Sequence, residues 1–159
     1  RKDGTITAGN ASQITDGAAA LVIVSDAAVE KQGLEVIASI EATSFLAGPD
    51  TQLHSQPSRA IAAALSRLPG AGTTDLAAVE INEAFAAVGL QSTLELDIEP
   101  SVVNAHGGAI AIGHPVGASG ARIVGTLARR LAAVGSGTLG AAGICGGGGQ
   151  GSAVILKAV

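Results

Sequence analysis

One histidine and one cysteine, each flanked by glycines, are the side chains of this sequence best suited to chemistry. His114 stands in residues 104–122, NAHGGAIAIGHPVGASGAR, where Pro115 restricts the backbone of His114 to extended geometry. The only cysteine, Cys145, stands in residues 143–151, GICGGGGQG. A firmly held imidazole, a thiol and backbone amides that a substrate can approach are what thiol-based acyl chemistry requires. The two passages therefore predict an acyl-transfer site.

Two other kinds of site are not predicted. Residues 146–151 satisfy the spacing G-x-G-x-x-G, but residues 152–156 indicate a strand, whereas a dinucleotide site needs a helix there. No glycine run is followed by Lys-Ser or Lys-Thr, which excludes a phosphate-binding P-loop. The three histidines and Cys145 lack the short paired spacing of zinc ligands, so we predict no metal site.

Composition argues against nucleic-acid binding, membrane association and a disulfide-based fold. A net charge of −4 and a pI near 5.2 give no basic surface for nucleic acid or for an acidic membrane. No apolar run approaches the ~18 residues of a membrane span. A single cysteine excludes an internal disulfide framework and fits a reducing, cytoplasmic compartment. The hydrophobic content of 47% is largely alanine, which predicts closely packed layers.

Strand-like and helix-like segments alternate along the chain. This alternation predicts an α/β layered domain with a largely parallel sheet. The final two strands are too close in sequence for a helical crossover, so they are expected to be antiparallel. The predicted strands are residues 18–25, 35–43, 76–81, 101–103, 138–145 and 152–158. The predicted helices are residues 26–31, capped by Asp26 and ended by Gly33, and residues 57–68, 83–96 and 118–133.

Both glycine-rich passages, together with residues 82–86 (NEAFA), resemble motifs of the thiolase family, which comprises acetyl-CoA C-acetyltransferases and 3-ketoacyl-CoA thiolases. Residues 4–12 (GTITAGNAS) and 15–20 (TDGAAA) are similar to the stretch that leads into the C-terminal half of that family. The resemblance covers essentially the whole chain. It implies the thiolase-like layered fold, with one βαβαβαββ unit. Residues 1–34 would end the N-terminal half, and residues 35–159 would form the C-terminal domain.

The resemblance also implies a role for four residues of the reaction centre. Cys145 would remove and return the proton on the substrate α-carbon. His114 would accept the proton of a nucleophilic cysteine and donate to a thioester oxyanion, Asn82 would hold the water of the first oxyanion hole, and the amide of Gly147 would serve the second. From the residues alone, other interpretations stay open: a buried apolar Cys145, a His114 held for packing and a helix-capping Asn82.

Binding of coenzyme A is implied for three further residues. Ser12 would contact the pantetheine arm, and Ala84 and Phe85 would line the same channel, although the residue type alone favours a core position for Phe85. Glu83 is expected in the first turn of a helix, where it supports the site. His106 stands where related sequences usually carry a small polar residue, so the preferred acyl-chain length stays open.

The resemblance implies an acyltransferase of fatty acid metabolism. It would condense two acetyl-CoA molecules to acetoacetyl-CoA or catalyse the reverse, CoA-dependent thiolysis. Coenzyme A is then a substrate, no resident cofactor is expected, and homodimers or homotetramers are implied. The family's nucleophilic cysteine lies upstream of Arg1, so this chain is expected to be part of a longer protein and to be inactive without the N-terminal half. Two alternatives stay open: a non-catalytic acyl-CoA or lipid carrier, and a structural half that only packs or dimerises. Intact His114 and Cys145 argue against the carrier.

Overall fold

A mixed four-stranded sheet lies at the centre of the computed structural model, which describes residues 3–159. Arg1, upstream of which the nucleophilic cysteine is expected, lies outside the described residues. The strands are β1 (Ala38–Ala47), β2 (Leu76–Ile81), β3 (Leu139–Gly146) and β4 (Gln150–Ala158). The helices are α1 (Asp26–Gln32), α2 (Gln56–Leu65), α3 (Ala86–Leu96), α4 (Ala109–Ile112) and α5 (Ser119–Val134), with 3₁₀ turns at Thr73–Asp75 and Pro100–Val102.

The strand order is β1-β4-β3-β2. Strand β4 runs antiparallel to both β3 and β1, so the predicted antiparallel final pair is confirmed. The prediction of a largely parallel sheet is wrong, because β2 and β3 are the only parallel pair of strands within residues 3–159. The short turn at residues 147–149 can only reverse the chain, and it places β4 between β3 and β1.

Helices cover both faces of the sheet, which gives the layered α/β arrangement that the sequence predicts. Helices α2 and α3 pack on one face, and α5 packs on the other through its buried residues Ile123, Leu127 and Leu131. Glycines in β3 let the helices on both faces of the sheet pack closely against this strand. A Cβ at Gly140 would lie 2.8 Å from Leu127 Cδ1, and one at Gly143 would lie 3.0 Å from Ile61 Cδ1. The close packing expected from an alanine- and glycine-rich core is therefore confirmed.

Two local predictions need correction. The N-cap of α1 is Ser25 rather than Asp26, because the Ser25 hydroxyl accepts from the amide of Ala28, while Gly33 ends the helix as predicted. Residues 101–103 do not form a strand. Pro100 begins a 3₁₀ turn there, and only a single bridge joins Val103 to β2. The described chain therefore has four strands rather than the five of the predicted unit.

Residues 18–25 were predicted to form a buried strand, and this prediction is wrong. The segment has no sheet neighbour within residues 3–159, and Val22 and Ile23 are 90% and 72% exposed. The physical reason is that a strand needs a partner edge, and the described sheet places none beside this segment. None of the helices in the described part of the chain is long and apolar enough to cross a membrane.

Candidate functional site

The backbone of His114 is held between α4 and α5. Gly113 ends α4 with φ 85°, and a Cβ at this position would collide with the side chain of Thr15. The amide of His114 donates to the carbonyl of Gln13 at 2.7 Å, and a single parallel bridge pairs His114 with Ile14. The early segment of the chain thus fixes the position of the imidazole.

The His114 ring makes a contact at each nitrogen. Nδ1 lies 2.6 Å from Ser119 Oγ, and Nε2 lies 3.3 Å from Asn82 Nδ2. In this orientation of the Asn82 amide, Nδ2 donates to Nε2, which corresponds to the tautomer with the proton on Nδ1. Burial, followed by the positive charge of Arg122, lowers the pKa of His114. At neutral pH the residue is therefore a neutral base that presents a bare Nε2.

Asn82 lies immediately after β2 and is 1% exposed. Its amide donates to the carbonyl of Gly143 in β3 at 3.0 Å. Its Oδ1 atom is buried and has no hydrogen-bond partner within residues 3–159, so an acceptor is left available for a water or a ligand. The interpretation of Asn82 as a helix N-cap is wrong, because α3 begins at Ala86 and its N-cap is Phe85.

The structure brings the predicted coenzyme A residues together. Ser12 donates to the carbonyl of Ala84 through both its amide and its hydroxyl, each at 3.1 Å, and Ala11 forms a bridge with Phe85. Phe85 is partly buried against the main core, so the core interpretation and the channel interpretation are compatible. Since residues 10–14 also hold His114, a single segment contacts both the loop that follows Asn82 and the loop that carries His114.

Cys145 lies near the end of β3, opposite Gly151 of β4. Burial raises the pKa of the Cys145 thiol, and a hydrogen bond from its own amide opposes this effect only in part. At neutral pH the side chain is therefore a protonated thiol. In the turn that follows, Gly147 is exposed, and its amide makes no hydrogen bond with the described part of the chain. It is free to donate to a ligand.

Sequence reasoning missed the function of Asn104. Its side chain pairs with both backbone groups of Ile81, each at 2.8 Å, and donates to Glu83 Oε1 at 2.8 Å. Glu83 in turn accepts from the amide of Ile110 at 3.1 Å, so it ties the loop before α3 to α4. Glu83 precedes α3 instead of lying in its first turn, which corrects the expectation. The one available signal is an asparagine three residues before Gly107, since asparagine tolerates the observed φ of 46°.

Two residues of α5 bond to backbone carbonyls next to His114. Ser119 is 0% exposed and donates to the carbonyl of Pro115 at 3.1 Å, and Arg122 Nη1 donates to the carbonyl of Gly113 at 2.9 Å. The two bonds hold the peptide groups on either side of His114. His106 is exposed. Across residues 3–159, no three His, Cys, Asp or Glu side chains are grouped closely enough to hold a metal ion.

Comparison with known proteins agrees with these observations. The family model of the thiolase C-terminal domain matches residues 18–158, and that of the thiolase N-terminal domain matches residues 1–27. A probable acetyl-CoA acetyltransferase of Mycolicibacterium smegmatis is 55% identical over 99% of this chain and 40% of its own length. An acetyl-CoA acetyltransferase of Yarrowia lipolytica is 44% identical, also over 99% of this chain, and 39% of its own length is covered.

Solved structures show the same relationship. The acetyl-CoA acetyltransferase of Bacillus anthracis superposes with a TM-score of 0.92 at 36% identity, over all of this chain and 40% of that one. The Acat5 thiolase of Ascaris suum, solved in complex with coenzyme A, gives 0.86 at 40% identity, over 98% of this chain and 40% of that one. The chain thus spans about 40% of the length of these relatives, and the expected thiolase-like fold is confirmed. The chain belongs to the thiolase family.

Proposed function

We propose that the protein carrying this chain is an acetyl-CoA C-acetyltransferase that condenses two acetyl-CoA molecules or cleaves acetoacetyl-CoA with coenzyme A. The observation that carries the proposal is the neutral His114, whose bare Nε2 lies beside the unpartnered Asn82 Oδ1. A base and a water-holding acceptor in contact are what acyl transfer from a thioester requires. The similarity to acetyl-CoA acetyltransferases supports the substrate class.

The first half-reaction acylates a cysteine supplied by the N-terminal thiolase region. His114 Nε2 takes the thiol proton, and the thiolate attacks the thioester carbonyl. The carbon–sulfur bond to coenzyme A then breaks, and the departing sulfur takes the proton of the Cys145 thiol. This leaves an acyl-cysteine, free coenzyme A, a His114 imidazolium and a Cys145 thiolate. A buried thiolate is a strong base, because burial raises the pKa of Cys145.

The second half-reaction forms the carbon–carbon bond. The Cys145 thiolate removes an α-proton from the second acetyl-CoA, and the enolate attacks the acyl-cysteine. Collapse of the adduct releases the nucleophilic thiolate, which recovers its proton from the His114 imidazolium. Both catalytic groups thereby return to their starting state. Thiolysis is the same sequence in reverse, with the Cys145 thiol returning a proton to the α-carbon.

Oxyanion stabilisation is divided between the two glycine-flanked loops. Protonated His114 Nε2, with a water on Asn82 Oδ1, would stabilise the enolate oxygen, and the free amide of Gly147 would stabilise the acyl-cysteine adduct. Each positioned donor contributes about 10²–10³ in rate. Ser12, Ala84 and Phe85 would contact the pantetheine arm, since the structure brings these three together.

Assembly and location belong to the same proposal. The resemblance to thiolases supports a homodimer or homotetramer acting in fatty acid metabolism. The single cysteine, free in the structure, supports a reducing, cytoplasmic compartment. The exposed apolar residues Val22 and Ile23 support burial of the early segment against an N-terminal thiolase region.

The decisive experiment joins this chain to the N-terminal region of the Mycolicibacterium smegmatis relative, in place of the 157 residues that it matches there. We expect the fusion to cleave acetoacetyl-CoA when coenzyme A is added, followed by the loss of enolate absorbance. The chain alone should show no turnover. The matched control is the fusion with Cys145→Ala, which should be inactive because it lacks the proposed acid/base. Its inactivity would show that turnover by the fusion depends on a residue of this chain. A folded fusion that binds acyl-CoA without turnover would support the carrier alternative instead.

A further inference from the structure

Ser119 occupies a buried position between the His114 ring and the backbone. It is the first residue of α5 and is 0% exposed. Its hydroxyl lies 2.6 Å from His114 Nδ1 and donates to the carbonyl of Pro115, four residues earlier, at 3.1 Å. A hydroxyl has one proton. The Pro115 carbonyl can only accept, so a hydroxyl proton directed to it leaves the oxygen as an acceptor toward the imidazole.

We propose that Ser119 is a positioning residue that selects the reactive tautomer of His114, an inference that rests on the proposed thiolase function. By accepting from Nδ1–H, the hydroxyl oxygen keeps the proton on that nitrogen and leaves Nε2 bare. Arg122 supports this arrangement, because its bond to the Gly113 carbonyl holds the peptide group on the other side of His114. The base is thereby oriented from both flanks by α5.

The selection of one His114 tautomer matters because the Nε2–H tautomer could also form a hydrogen bond, to Asn82. Asn82 Oδ1 is buried and has no partner within the described residues. If Nε2 carried the proton, rotation of the Asn82 amide would let Oδ1 accept it, and Nδ1 would need a donor. That state cannot take a proton from a thiol at Nε2. Ser119 therefore decides between two hydrogen-bonded states of the same pair, of which only one is a base toward the substrate.

The test uses the fusion enzyme with Ser119→Ala, and Ser92→Ala as the matched control. Ser92 is also 0% exposed and helical, and its hydroxyl also donates to a backbone carbonyl, that of His54 at 3.0 Å, far along the chain from His114. Labelling the histidines with ¹⁵N reports which nitrogen of the His114 ring is protonated, and the His114 signal is assigned by its loss in His114→Ala. Single-turnover labelling with radioactive acetyl-CoA reports the acylation rate.

In the unmodified fusion, ¹⁵N shifts should show Nδ1 protonated and Nε2 bare. Ser119→Ala should populate the Nε2–H tautomer and slow acylation by about tenfold or more, the scale seen when a supporting partner of a reactive histidine is removed. Ser92→Ala should change neither. The inference is overturned if the unmodified protein carries its proton on Nε2, or if Ser119→Ala leaves the tautomer unchanged, whatever its rate. An unmodified fusion without turnover would instead overturn the proposed function, and the tautomer measurement would still decide the role of Ser119.

Discussion

Replacing Asn104 by alanine should loosen the strand end that carries Asn82. The Asn104 side chain completes the hydrogen bonding of Ile81, whose own side chain is only 1% exposed, and it also holds the Glu83 carboxylate. Asn104→Ala leaves the N–H and C=O of Ile81 unpaired, at about 1–2 kcal/mol for each neutral group. Alanine also tolerates the φ of 46° less well than asparagine. Together these effects should cost about 3–5 kcal/mol of local stability.

Asn104→Gly separates the two contributions. Glycine removes the same side-chain bonds but adopts a positive φ without strain, so this variant should be about 1 kcal/mol more stable than Asn104→Ala. Both variants should lose acylation activity in the fusion enzyme, because Asn82 directly follows Ile81 and its position depends on that peptide. Equal stability of the two variants would show that the backbone of residue 104 is unstrained.

Amide hydrogen exchange at Ile81 is the direct assay, since it reports the free energy of local opening. A loss of about 3–5 kcal/mol corresponds to exchange that is roughly 10²–10⁴ times faster. An amide in an inner strand of the same sheet, that of Ile155 in β4, two strands from Ile81, serves as an internal reference and should exchange at an unchanged rate. Unchanged exchange at Ile81 in Asn104→Ala would refute the claim that this side chain secures the strand end.

Three further predictions concern single side chains. Cys145→Ala should abolish condensation and thiolysis while labelled acetyl-CoA still acylates the nucleophilic cysteine at a measurable rate, and normal thiolysis would contradict its role. His114→Ala should slow that acylation further than Cys145→Ala does, so equal acylation rates would refute the division of labour. Burial disfavours ionised Glu95, but hydrogen bonds from Ser55, Ser58 and Gln91 outweigh it and lower the pKa of Glu95. A carboxyl group whose pKa is lower in the folded state stabilises the protein above the unfolded pKa of about 4.3, and this stabilisation is lost as the pH falls through the folded pKa. Glu95→Gln should therefore lower the melting temperature at pH 7 and have little effect near pH 3. A loss that is equal at both pH values would contradict this.

Local sequence patterns predicted most of the regular structure. The strand over residues 76–81 agrees with β2 at both ends, and α5 begins and ends one residue later than predicted. Residues 18–25 show the limit of such patterns. Their valines and isoleucine suit a buried strand, but the described sheet does not pair with this segment, and Val22 and Ile23 stay exposed. Hydrophobicity predicts that a segment is stabilised by burial, whereas the surface that buries it is determined by the tertiary structure.

The candidate site also combines features that local sequence predicts with features that only the tertiary structure determines. Glycines and a proline mark the loops of His114 and Cys145, because backbone conformation leaves a trace in residue type. The residue types of Asn104 and Ser119 do not indicate which groups their side chains bind. Their importance depends on which polar groups lie opposite them after folding, Ile81 for one and the His114 ring for the other. Hydrogen-bond partners distant in sequence, such as Asn104 and Ile81, cannot be assigned from periodicity.

The parallel pairing of β2 with β3 places Asn82 and Cys145 at the same edge of the sheet. The carboxyl ends of parallel neighbours lie at the same edge of a sheet, and Ile81 pairs with Gly143, two residues before Cys145. The amide of Asn82 continues this register by donating to Gly143. Residues 10–14 then cross that edge, pairing with the loop after Asn82 and with His114. Any displacement of this segment must move Ser12 and the His114 imidazole together, so we expect the proposed pantetheine contact and the proposed base to shift as one unit.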